Sequence, residues 1–85
     1  MPITRGEGFR DQFRNLPDDV QKAAKKQIEF LADNPFHPSL RLKRIKGSDE
    51  WWEARVNDNY RFGLKLIDGV WTLLVVGDHK AVLGK

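Results

Sequence analysis

Cysteine is absent from the sequence. A disulfide framework and a thiolate zinc site are therefore excluded, and the chain suits a reducing compartment such as the cytoplasm. Long apolar runs are also missing. None approaches the ~18 residues that a membrane span needs, and no signal-peptide apolar segment is expected near the N-terminus. Histidine occurs only twice, so histidine chemistry must come from His37 or His79. The sequence contains no internal repeat and no low-complexity linker. Residues 1–85 are expected to form one small domain.

What is present is a globular composition, with 40% hydrophobic and 32% charged residues. The net charge of +3 is modest, so its placement matters more than its size. Pro2 to Arg5 could add a short edge strand. Phe9, Phe13 and Leu16 recur at helical spacing, and Pro17 marks a boundary. Asp18 and Asp19 place negative charge where a helix start favours it. Val20, Ala23, Ala24, Gln27, Ile28 and Leu31 continue the helical period until Asn34-Pro35 stops it. These segments predict a helical hairpin with one apolar face.

After Pro38 the period changes to two. Leu40 and Leu42 alternate with Arg41 and Lys43, which predicts a strand ending or bulging near Lys43-Arg44. Gly47-Ser48-Asp49 reads as a turn. Trp52, Ala54 and Val56 then share one face of a strand, and Trp51, Glu53 and Arg55 the other. Asp68-Gly69 is a strong type I′ hairpin signal. A two-residue loop there pairs Ile67 with Val70, Leu66 with Trp71, Leu64 with Leu73 and Phe62 with Val75. Leu66, Trp71, Leu64, Leu73, Phe62 and Val75 share one face, which is apolar and needs the helical hairpin as its cover. The fold class is therefore α+β: an N-terminal helical hairpin packed on one face of a mainly antiparallel sheet of three to five strands.

Parity then constrains the other hairpin. Only an odd loop keeps Trp52, Ala54 and Val56 on the core face, because a one-residue slip reverses every side chain. A three-residue loop, Asn57 to Asn59, pairs Val56 with Tyr60, Ala54 with Phe62 and Arg55 with Arg61. Two opposed arginines repel by a few tenths to ~1 kcal/mol. They make sense as an anion clamp with Lys65 further along; the alternative is a solvated pair partnered by Glu53 and Asp78. Arg41, Lys43, Arg44 and Lys46 place four cations in six residues. Such a concentration suits an RNA backbone, although charge runs also form plain solvated faces. Trp51 could stack on a base or cap the sheet edge. Cleavage of RNA by 2′-hydroxyl attack needs no metal, only a base, an acid and cations on the phosphate. His79, directly after the last strand, and His37, at the start of the basic stretch, are the candidate proton-transfer groups.

The phenylalanine-bearing first helix closed by LPDDV, the second helix ending in NP, HPSLRLKRIKG, WWEARVNDNYRF and a last strand ending in VGDH follow one another in order. This arrangement resembles the RelE/ParE superfamily of bacterial toxins from toxin–antitoxin operons. The resemblance implies a concave basic sheet face as the active surface. It implies a cognate antitoxin, with the ribosome and mRNA as targets of a metal-independent endoribonuclease that represses translation. No cofactor and no membrane are implied. The tail HKAVLG is most similar to the YafQ branch, which makes His79 the main acid/base, with Leu83 beside it. His37-Pro38 and Asp58 resemble further positions of that branch. Arg61 of the NYRF motif is the match to the phosphate ligand of the wider RelE and YoeB branches, with Arg55 beside it. Arg41, Lys43, Arg44, Lys46, Trp51 and Lys65 would bind RNA. The chain departs from the YafQ pattern at Arg55, where that branch has a histidine, and by the extra Ser39. It also lacks the tail tyrosine of RelE-like and YoeB-like members. A ParE-like toxin binding DNA gyrase and a non-toxic basic binding module are the alternatives.

Overall fold

The computed structural model describes residues 3–78 and Val82. In chain order the elements are β1 (Ile3–Arg5), α1 (Glu7–Arg14), α2 (Asp18–Asp33), a 3-10 turn (Pro38–Leu40), β2 (Lys43–Arg44), β3 (Trp51–Arg55), β4 (Tyr60–Ile67) and β5 (Val70–Asp78). The five strands form one sheet in the order β1-β5-β4-β3-β2. The β1–β5 pair is parallel and the other three are antiparallel, within the expected architecture.

The helices form where the apolar period requires them. Phe9, Leu16, Val20, Ala24, Ile28 and Leu31 are buried against Ala54, Val56, Phe62, Leu64, Trp71, Leu73 and Val76 of the sheet. The junction between α1 and α2 is closed by Gln21, whose amide donates to the carbonyls of Leu16 at 3.0 Å and Arg14 at 3.2 Å. These carbonyls would otherwise lack partners at a helix end. Gly6 lies under the sheet edge, where a Cβ would stand 2.8 Å from Leu74 Cδ2. Among the described residues, no helix is long and apolar enough to cross a membrane.

The hairpin registers follow the turn chemistry. Asp68 and Gly69 have φ of 50° and 77°, as a type I′ turn demands. Ile67 pairs with Val70, Leu66 with Trp71 and Leu64 with Leu73. Beyond Leu64 the register slips: Gly63 pairs with Val75 and Phe62 with Val76. Leu74 is the additional residue, so Val76 rather than Val75 enters the core. Leu66, expected under the helices, is exposed, so the helical cover stops short of this hairpin's tip.

The strand expected from Leu40 is also shorter. Pro38–Leu40 is a 3-10 turn capped by His37, whose side chain accepts from Ser39 N. Proline suits the first position of such a turn because its φ is preset and its missing N–H would be unpartnered anyway. Arg41 then takes a left-handed conformation, φ 46°, and only Lys43–Arg44 remain extended.

Gln27 is the polar member of the apolar stripe on α2 and is buried. Its Nε2 donates to the carbonyls of Arg55 at 2.8 Å and Ser39 at 3.1 Å. It thus ties α2 to β3 and to the 3-10 turn. Gln27→Ala strands both carbonyls and is expected to lower stability by about 1–3 kcal/mol. The urea midpoint should fall with an unchanged m-value.

Candidate nucleic-acid interface

The β3–β4 loop sets the site. Asn57 Oδ1 accepts from Asn59 N at 3.0 Å and from Tyr60 N at 2.9 Å, a side-chain-closed turn. Val56 N donates to Tyr60 O at 3.0 Å. The loop is therefore three residues long, Ala54 faces Phe62, and Arg55 lies opposite Arg61. Ala54 and Phe62 are fully buried, which directs the two arginines to the sheet face away from the helices.

The repulsion between them is relieved locally. Arg55 forms an ion pair with Asp58 in the loop. Arg61 Nη1 donates to the carbonyl of Tyr60 at 2.9 Å and to that of Asn57. Lys65 continues the face, sits 3.3 Å from Glu50, and holds its ammonium 4.8 Å from the centre of the Trp51 ring. Lys43 pairs with Glu53 across β2–β3, Nζ to Oε1 at 3.3 Å. Glu53 therefore neutralises Lys43, not Arg61. Among the described residues, Arg61 is the one cation of these four that makes no ion pair with a carboxylate.

The basic run is divided by strand parity. Lys43 shares the face of Arg55 and Arg61. Arg44 pairs with Trp52 and lies over its ring at 5.2 Å, on the helix side. Arg41 and Lys46 are exposed in the flanking turns. His37 is held at the end of α2: its ring stacks on Phe30 at 4.1 Å and 12°, and Nδ1 lies 2.8 Å from Ser39 Oγ. The sheet face thus gathers Lys43, Trp51, Arg55, Arg61 and Lys65, without Arg44. His79 and Leu83 lie outside the described residues. Among the described residues no group of His, Cys, Asp or Glu could hold a metal ion.

Two features of this face go beyond the sequence reading. Glu53 is 5% exposed, although a glutamate on the polar parity of a strand is ordinarily solvated. At Gly63, a Cβ would stand 3.3 Å from Val75, 3.4 Å from Trp51 and 3.5 Å from Val82 Cγ1. The glycine makes room for Trp51 and for a residue from the C-terminal segment. A lone glycine within a strand signals such close approach.

Neither a protein-family model nor a curated protein sequence matches the chain. Solved structures do match its fold. The RelB–RelE antitoxin–toxin complex of Methanococcus jannaschii is similar with a TM-score of 0.78 and 21% identity, over 95% of each chain. The E. coli DinJ–YafQ toxin–antitoxin complex has a TM-score of 0.77 and 17% identity, over 96% of each chain. The YoeB/ParE toxin of Agrobacterium tumefaciens has a TM-score of 0.74 and 14% identity, over 93% of this chain and 99% of that one. The chain has the fold of the RelE/ParE-like toxins.

Gly63→Val places branched carbons where Trp51, Val75 and Val82 already pack. Overpacking is expected to cost about 1–3 kcal/mol. The Val82 methyl resonances should shift while those of Val20, in the helical core, remain in place.

Proposed function

We propose that the chain is the toxin of a type II toxin–antitoxin pair, acting in the cytoplasm as a metal-independent, ribosome-dependent mRNA endoribonuclease that represses translation. The observation that carries this reading is the opposition of Arg55 and Arg61 on a face that also presents Lys43, Lys65 and Trp51. Like charges directly opposed are unfavourable unless an anion joins them. A phosphodiester fits between two guanidinium groups better than a single carboxylate does, because each can donate in parallel to phosphate oxygens. The fold likeness to RelE and YafQ toxins points to the same chemistry.

In this mechanism the phosphate displaces the exposed Asp58 from Arg55, while Arg61 turns from its loop carbonyls to the scissile group. Both arginines stabilise the charge that builds on the pentavalent phosphorus as the 2′-oxygen attacks. Lys43, Lys65, Arg41 and Lys46 hold the flanking backbone, while Arg44 stays over Trp52 on the helix side. Trp51 offers its edge to a base, because Lys65 lies against its ring. His79 protonates the leaving 5′-oxygen or accepts the 2′-hydroxyl proton, the role the family resemblance assigns. His37 is the second proton-transfer candidate. Its Nδ1 is engaged by Ser39, which leaves Nε2. The partner is a cognate antitoxin, since structural neighbours are antitoxin–toxin complexes. Likeness to a YoeB/ParE toxin supports a second reading, a non-nuclease toxin that binds gyrase.

The test is to induce the protein and map mRNA 5′ ends alongside amino-acid incorporation and plasmid supercoiling. New ends within translated codons, with incorporation falling at the same time, are expected. Arg61→Ala should slow cleavage by roughly 100-fold and restore growth while the fold is retained. Growth arrest with intact messages and altered supercoiling would establish the gyrase reading, and no arrest would leave a non-toxic binding module.

A further inference from the structure

We infer that Glu53 is a positioning residue that fixes Lys43 on the RNA-facing side of the sheet; this rests on the RNA-binding reading above. β2 is only two residues long, and its side chains are sorted by what holds each one. Leu42 packs against the core just before it, and Arg44 is drawn over Trp52 on the helix side. Lys43 is left on the opposite face, where a long, unbranched and largely exposed side chain would ordinarily sample many rotamers. Glu53 removes that freedom. It stands directly across from Lys43 and is 5% exposed, with Oε1 3.3 Å from the ammonium. Its Oε2 is buried and has no hydrogen-bond partner among the described residues. Lys43 is therefore the cation that neutralises this carboxylate among the described residues. If the ammonium swung into solvent, it would leave a buried, unpaired charge behind, which is strongly unfavourable. The exposed carboxylates of Asp58 and Glu50 can leave Arg55 and Lys65 at little cost, whereas Glu53 is anchored. Lys43 thus reaches RNA with its direction already set, and the ordering cost is met in folding instead of in binding.

Simple electrostatics and positioning give opposite signs at Glu53. Removing a negative charge from an RNA-binding face should tighten binding; removing a positioner should weaken it. The probe is a 2′-O-methyl oligoribonucleotide, which lacks the nucleophile and is not cleaved. Its affinity is followed by fluorescence anisotropy across a potassium chloride series. Lys43→Ala is expected to weaken binding roughly fivefold and to reduce the salt slope by about 0.7, the value of one phosphate contact on a single strand. Glu53→Gln should weaken binding at least twofold, and the double variant should bind no more weakly than Lys43→Ala alone. Glu53→Asp keeps the charge but withdraws the carboxylate by one methylene, and it too should weaken binding. If Glu53→Gln binds more tightly, or Glu53→Asp binds as the wild type does, the positioning role is overturned while RNA binding stands. If the wild type shows no salt-dependent binding at all, the RNA reading falls and the positioning role falls with it.

Discussion

The length of the loop between Val56 and Tyr60 controls the rest of the site. Strand side chains alternate with a period of two, so one residue more or fewer would turn Arg55 and Arg61 to opposite faces. Asn57 holds that length by accepting two backbone N–H groups across the turn. Ala54 and Phe62, paired one step further in, are fully buried and pin the same register from the core side. Gln27 reaches from α2 to the carbonyl of Arg55. Loop, core and helix therefore meet at one strand pair, and the opposed arginines are a geometric consequence of packing the other face.

Opposed cations on a small domain need an explanation in energy. Here each cation of the face has a local partner of a different kind: an exposed carboxylate for Arg55, backbone carbonyls for Arg61, and a buried carboxylate for Lys43. The pairs with exposed acids, Arg55–Asp58 and Lys65–Glu50, are not salt bridges built for stability, since such pairs contribute ~1 kcal/mol or less. They read better as a face kept soluble until a phosphate chain replaces the exchangeable acids. The basic groove on the helical side, bounded by Arg5, Arg10, Arg14 and Lys25 over Phe9, Phe13 and Ile28, shows that positive charge alone does not identify the site. Its cations share the groove with Glu29 and are not opposed on a strand pair.

Much of this was legible in the sequence because strong local signals agreed. The helical period of Val20 to Leu31, the Asp68-Gly69 turn and the parity argument at Asn57–Asn59 gave the elements, two hairpins and the Arg55–Arg61 pair. The misplaced features are those where local chemistry overrides a pattern. Leu73 to Val76 is a continuous apolar run, so nothing in it marks Leu74 as the bulged residue. Leu40 and Leu42 mimic strand alternation, but the His37 side chain caps a 3-10 turn there and Arg41 reverses the chain. Four clustered cations form one run in the sequence; the pairing of Lys43 with Glu53 and of Arg44 with Trp52 sorts these two to opposite faces. The burial of Glu53 and the seating of Val82 over Gly63 depend on long-range contacts, which periodicity does not encode.

The most direct measurement is an NMR titration that follows the guanidinium Nε–Hε signals of individual arginines as a 2′-O-methyl oligoribonucleotide is added. The expected result is saturable shifts at Arg55 and Arg61, with Arg10 and Arg14 on the helical side unchanged. Shifts confined to Arg5, Arg10 and Arg14, with Arg55 and Arg61 silent, would contradict the assignment of the opposed arginines as the phosphate-holding centre of this protein.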